Sequence, residues 1–314
     1  MEFRNLGNSG LKVSVVGLGC NNFGMRIDTE QTAVVVNKAL DGGINLFDTA
    51  DIYGNRGGSE TMLGKALGPR RHEVIVASKF GMAMGTGPFS KGASRRYIMA
   101  AAEASLKRLN TDYIDLYQLH FPDAETPQEE TLGALNDLVR AGKVRYLGSS
   151  NFAGWQVADA AWISKTNGFA PYISAQNQYN LLDRRIEKDL TPACAHFGVG
   201  ILPYFPLASG FLTGKYKRGE EPSKDTRLGA MGSMAKSALT DSNFVTLEKL
   251  QEFARSHSHS VLELAIGWLA SMPQVSSVIA GATKPEQVTA NVKGGDWKLS
   301  GEELAEVDKI TKRP

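Results

Sequence analysis

Eight short β-rich runs recur along the 314 residues, each followed by a stretch with helical periodicity. They are VVGLG (15–19), NLFDTA (45–50), EVIVASKF (73–80), YIDLYQLH (113–120), VRYLGSS (144–150), YISAQNQ (172–178), GILPYFP (200–206) and VSSVIAG (275–281). Candidate helices fall near 29–42, 59–68, 94–109, 127–142, 153–165 and 184–197, with more at 243–256, 261–271, 285–292 and 301–311. Parallel strands need crossovers of about a dozen residues or more, usually helical, so this alternation specifies a parallel sheet flanked by helices. No Pro/Gly/Ser-rich linker divides the chain. Eight βα units then predict one α/β domain over 1–314, a closed (β/α)8 TIM barrel, with a doubly wound sheet as the alternative.

Local signals refine this frame. Thr126-Pro127-Gln128-Glu129 sets out an N-cap hydroxyl, an N1 proline and an N3 carboxylate, and Ser300 with Glu303 repeats the capping box. The opening EFRNLGNSGLKVS reads as a small β-hairpin around Gly7 to Gly10, a plug under the barrel. One interval breaks the rhythm: after the seventh strand, residues 209–242 are polar, rich in Gly and Ser, and carry six Lys and Arg. Loops of that length in compact domains are usually functional or disordered.

Composition excludes several classes. A net charge of +2, with no basic cluster interleaved with aromatics, argues against a nucleic-acid or membrane surface. No run of eighteen apolar residues occurs, and the start is charged by its second residue, so neither a spanning helix nor a secretion signal is expected. Hydrophobic residues at 42% support a sizeable core. Two cysteines, Cys20 and Cys194, fit a reducing, cytoplasmic setting.

The carboxyl ends of barrel strands face the mouth where chemistry is done. The second run ends near Asp48 with Tyr53 just beyond, the third at Lys79 and the fourth at His120. Alone, each has an ordinary structural reading: a helix-capping Asp, a snorkelling Lys, a core His, a Tyr packed with a polar tip. Together they form a proton-transfer set, in which a lysine ammonium lowers the pKa of the phenol and a carboxylate keeps the ammonium charged. Asp51 reads as a loop residue making local turn hydrogen bonds.

The segments NLFDTADIYG, ETMLGKAL, ASKFG, EASLKRLNTDYIDLYQLHFPD, LVRAGKVRYLGSSNF, SAQNQYNLL, PYFPLASGFLTGKY and VIAGATKPEQVTANV resemble, in order, those of the aldo-keto reductase family. The similarity is to its long-loop type, related to potassium-channel β-subunits and bacterial oxidoreductases. It implies a catalytic tetrad at Asp48, Tyr53, Lys79 and His120, reducing an aldehyde or ketone reversibly with NADPH. Tyr53 would be the general acid, tuned by Lys79 and Asp48, while His120 orients the carbonyl. Two other functions fit the same barrel: a cofactor-binding regulatory subunit with slow chemistry, and a Schiff-base aldolase using Lys79.

Cofactor contacts follow from the same resemblance. Ser150, Asn151 and Gln176 would hold the nicotinamide amide, Tyr204 would stack on its ring, and Gly19 and Asp48 would border it. Phe205, Pro206, Leu207, Ala208 and Ser209, then Lys215 and Arg227, would meet the pyrophosphate and fold the long loop over it. Gly281, Thr283, Lys284, Gln287 and Asn291 match the adenosine site, where a helix N-terminus and a cation suit a 2′-phosphate, so NADPH is expected over NADH. Gly17-Leu18-Gly19 has its third glycine two positions late for a dinucleotide fingerprint. His257 and His259 lack a ligand-spaced partner, so no metal is expected there. Trp155, Trp162, Trp268 and Trp297 are expected to pack. The default assembly is a monomer.

Overall fold

The computed structural model describes residues 1–230, 232, 235 and 238–311. A short antiparallel hairpin, β1 (Phe3–Asn5) and β2 (Lys12–Ser14), precedes eight parallel strands. Alternation begins with β3 (Val16–Gly19), α1 (Thr29–Asp41), β4 (Leu46–Asp48), α2 (Tyr53–Leu67), β5 (Ile75–Phe80), α3 (Arg95–Leu109), β6 (Ile114–Leu119) and α4 (Gln128–Arg140). It continues through β7 (Val144–Ser150), α5 (Gly154–Asn167), β8 (Tyr172–Gln176), α6 (Leu190–Phe197) and β9 (Gly200–Ile201). Then come α7 (Arg227–Ala230), α8 (Asp241–Ser256), α9 (Val261–Ala270), β10 (Val278–Gly281), α10 (Pro285–Gly294) and α11 (Gly301–Thr311).

Strands pair in the order β10-β3-β4-β5-β6-β7-β8-β9. The ring closes through a parallel bridge of Ile201 with Val275, reinforced where Ile201 N donates to Gln274 O at 2.7 Å and Ile279 N to Pro203 O at 3.0 Å. This is the expected (β/α)8 barrel, and all eight predicted strands are present.

Inside the ring, Leu46, Ile75, Ala77, Leu116, Leu202 and Ile279 form a small core, distinct from the larger one between sheet and helices. The hairpin adds Leu6 and Val13 to it and so plugs this end, as its sequence suggested. Gly7 makes the approach possible: its φ is +55°, and a Cβ there would lie 2.5 Å from Gly198 O.

Several local expectations fail. The Thr126 hydroxyl donates to Asp123 at 2.8 Å, so α4 starts at Gln128 without a side-chain cap. The Ser300–Glu303 box does form, with bonds of 2.6 and 3.2 Å. The stretch 184–197 splits into a single 3-10 turn at Arg185–Glu187 and then α6. Trp268 and Trp297 are buried, but Trp155 and Trp162 are 69% and 57% exposed on α5. The 209–242 interval is partly ordered, by the turn Ala208–Thr213 and by α7, while its residues 231, 233, 234, 236 and 237 lie outside the described set.

Candidate active site

Side chains alternate across each strand, so residues two apart share the inner face of the ring. Leu46 and Asp48 share it on β4, Ala77 and Lys79 on β5, Leu116 and Gln118 on β6. Lys79 pairs in register with Gln118, and Ser150 with Gln176. One step toward the carboxyl ends therefore turns an apolar interior into a polar one. His120 follows β6 directly, and its backbone N–H donates to Phe80 O at 2.9 Å.

The four expected tetrad residues converge. Lys79 is fully buried, and its Nζ donates to Asp48 Oδ2 at 2.6 Å and to Thr49 O at 2.9 Å. The other Asp48 oxygen accepts from Gln176 Nε2 at 2.7 Å and Gln118 Nε2 at 3.3 Å. The same ammonium lies 5.0 Å from the centre of the Tyr53 ring. His120 meets that ring edge-on at 5.7 Å and stacks on Phe121 at 5.2 Å.

Electrostatics assigns protonation states. Desolvation opposes the Lys79 charge, yet the charges and hydrogen bonds of Asp48 and Tyr53 outweigh it and leave its pKa above the usual lysine value. Burial, then the Lys79 charge, pushes His120 down to about 3, so its imidazole is neutral at physiological pH. For Tyr53 the direction differs from the sequence expectation. Burial raises the phenol above 10, with Asp48 adding to the rise, and Lys79 is the largest opposing influence without reversing it. The lysine limits the cost of forming phenolate in a desolvated site; it does not make the free phenol acidic.

Asp48, Tyr53 and His120 face a cavity of about 820 Å³, with Lys79 immediately beneath. Gly19, Ser150, Asn151, Gln176 and Tyr204 line one part of its wall. Phe205, Pro206, Leu207, Ser209, Lys215 and Arg227 line another, and Gly281, Thr283, Gln287 and Asn291 a third. Ala208 and Lys284, expected beside them, are not on the wall. Hydrogen bonds hold these side chains on the wall: Tyr204 OH donates to Asn151 Oδ1 at 2.8 Å, Asn151 Nδ2 to His120 O at 2.9 Å, and Ser150 Oγ to Gln176 O at 2.8 Å. Gln287 Oε1 accepts from Thr283 N at 2.7 Å, and the Arg227 guanidinium stacks over Phe205 at 4.6 Å.

Three features escape a reading of the sequence as strand ends. Gln118 braces Asp48, and only the period-two rule counted back from His120 points to it. Met82, Phe121 and Arg26, from loops whose path the sequence does not define, and Arg56, from the left-handed start of α2, also line the cavity. Asp51 is 1% exposed, and its carboxylate lies against the Ile52 backbone and the Tyr97 hydroxyl without a hydrogen bond of good geometry. Burial, then the charge of Glu60, lifts its pKa to about 7. Arg108, the nearby cation, is engaged by Glu60 at 2.6 Å.

Residues 15–312 match the family model described as the aldo/keto reductase family. The chain belongs to the aldo/keto reductase family. It is 38% identical over 303 residues to a probable voltage-gated potassium channel subunit beta from Oryza sativa subsp. japonica, covering 94% of this chain and 92% of the relative. An L-glyceraldehyde 3-phosphate reductase from Escherichia coli (strain K12) is 35% identical over 320 residues, covering 98% and 92%. A versiconal hemiacetal acetate reductase from Aspergillus parasiticus is 34% identical over 330 residues, covering 97% and 95%. As an aldo/keto reductase, the chain is an NAD(P)H-dependent oxidoreductase acting on carbonyl and alcohol groups.

Proposed function

We propose that this aldo/keto reductase reduces an aldehyde or ketone reversibly with NADPH, and that Asp48, Tyr53, Lys79 and His120 carry the proton transfer. The observation behind this is the fully buried Lys79–Asp48 pair at 2.6 Å, set against the Tyr53 ring at the floor of the cavity. A buried ion pair is costly unless its remaining hydrogen bonds are satisfied, and here Gln118, Gln176 and Thr49 O satisfy them. Tyr53 gives its proton to the carbonyl oxygen, and the fixed ammonium stabilises the phenolate left behind. His120, neutral, offers an N–H to the same oxygen and positions it.

The wall suits a nicotinamide dinucleotide. Ser150, Asn151 and Gln176 present amide and hydroxyl groups, Lys215 and Arg227 present cations, and Gly19 and Gly281 leave the backbone bare. Already at Gly19 a Cβ would press to 3.2 Å from Ile279. Bound NADPH would supply the hydride. Preference for NADPH over NADH rests on the N-terminus of α10 beside Thr283 and Gln287, capped by Lys284 although that side chain does not line the cavity. Titration showing tighter NADH binding would remove that preference, and loss of NADPH absorbance with a panel of aldehydes, ketones and sugars tests the reaction itself.

The potassium-channel relative keeps a second reading in play, a regulatory subunit that binds the cofactor and turns over slowly. A Schiff-base aldolase fits poorly, because Lys79 is held as an ammonium by Asp48 and an ammonium is no nucleophile. We read residues 1–314 as one cytoplasmic domain, monomeric until light scattering shows otherwise. Both cysteines are buried and free, and no helix among the described residues is long and apolar enough to cross a membrane.

A further inference from the structure

The charge on the cavity wall is one-sided. Arg26, Arg56, Lys215 and Arg227 contribute cations, while Asp48 is the sole carboxylate there among the described residues and is paired with Lys79. Arg26, Arg56 and Arg227 form no ion pair with any carboxylate among the described residues. Asp225 turns its carboxylate to Ser223, lies close enough to Lys215 to feel its charge, and gives Arg26 only its backbone oxygen, at 2.6 Å. The three arginines are therefore left without a carboxylate partner among the described residues.

Position separates these cations by task. Lys215 lies on the long interval after β9, near the residues assigned to the pyrophosphate. Arg56 instead sits three residues beyond Tyr53, exposed at the rim, and lines the same cavity as the phenol. Its backbone is fixed there: Gly54, Asn55 and Arg56 have φ of 65°, 59° and 66°, a left-handed turn that L-residues with side chains enter at a cost. A Cβ on Gly54 would lie 2.4 Å from Ser59 N and 2.6 Å from Phe23 O, so this turn is locked against the loop that carries Arg26. Arg227, on the side assigned to the cofactor, is half-buried on Phe205 and close enough to Arg26 to feel its charge.

We infer that the natural substrate is a small aldehyde or ketone bearing an anionic group, phosphate or carboxylate, and that Arg56 is the specificity residue that reads it, with Arg26 beside it. This rests on the reductase reading above. Arginine matches both anions through its planar fork of donors. Met82 and Phe121 give the same wall apolar surface for a carbon skeleton.

The test compares kcat/KM with NADPH for two matched pairs, glyceraldehyde 3-phosphate against glyceraldehyde and succinic semialdehyde against butanal, in the wild type, Arg56→Asn and Arg56→Lys. Asparagine removes the charge yet tolerates the left-handed backbone. The wild type should favour the anionic member of at least one pair by about tenfold or more, the scale of one charge-assisted hydrogen bond. Whichever pair shows it identifies phosphate or carboxylate. Arg56→Asn should collapse that ratio through KM, Arg56→Lys, which keeps the charge but not the fork, should retain only part of it, and NADPH affinity measured by fluorescence should not move. No anion preference in the wild type, a preference that survives in Arg56→Asn, or a parallel loss of NADPH affinity would each overturn the inference. Turnover of the neutral aldehydes with no preference would sink this inference alone; no turnover of any of the four would sink the reductase reading with it.

Discussion

The two ends of the barrel interior are built from the same strands and separated by a single step of two residues. At the amino-terminal end Leu46, Ala77 and Leu116 meet Leu6 and Val13 of the hairpin; at the carboxyl end the same strands present Asp48, Lys79 and Gln118. Lys79 is as completely buried as Leu116. The difference lies in how burial is made tolerable: by close packing at one end, and at the other by pairing Lys79 with Asp48 and hydrogen-bonding both ions. The first end holds the ring together, and the second gives the ring a site.

The largest effect should come from unpairing the polar end. Lys79→Met leaves Asp48 buried with only two amides, and should cost about 3–5 kcal/mol of stability, the usual penalty for orphaning a buried charge. It should also lower carbonyl reduction by at least about a hundredfold. Urea unfolding and steady-state rates measure the two. At the opposite end, Leu116→Ala should cost about 2–5 kcal/mol by opening a cavity. Its kcat should stay close to wild type, and a large kcat loss from this substitution would show that the two ends are not separable.

Asp51 sharpens the contrast, because it is a buried acid that neither packs as a leucine does nor pairs as Asp48 does. Its folded pKa of about 7 lies above the usual aspartate value near 3.8. Its contribution to stability is therefore fully present below the unfolded value and is lost as pH rises through about 7. The full shift corresponds to roughly 4 kcal/mol. An amide at this position is itself short of partners, so Asp51→Asn should stabilise the protein by only about 1–2 kcal/mol at pH 8. That gain should vanish as pH falls from 7 toward 4. Chemical denaturation at pH 5 and pH 8 checks it, and an equal effect at both would mean that Asp51 is ionised throughout.

Much of this was legible in the sequence because barrels are periodic. The eight β-rich runs mark the strands, and the inner-face rule carries Asp48, Lys79 and His120 to one rim from positions that are far apart in the chain. What the sequence hides depends on groups arriving from elsewhere. Asp51 follows Asp48 by three residues, but its pKa depends on burial and on charges brought by α2 and α3, Glu60 and Arg108. The Tyr53 pKa is set first by desolvation, a property of the whole site. Thr126 loses its capping role to Asp123 close by, and Trp155 and Trp162 face outward on a helix of weak amphipathic pattern. The left-handed turn at 54–57 hides inside what reads as the approach to a helix.

The central claim is that Tyr53 delivers the proton. Wild type and Tyr53→Phe, each loaded with NADPH, should be mixed with an aldehyde and followed by the loss of reduced-nicotinamide absorbance in a single turnover. The account predicts that the variant binds NADPH as the wild type does while the rate falls by about 10²–10⁴-fold, the range of a lost general acid. A variant that turns over at the wild-type rate would contradict it.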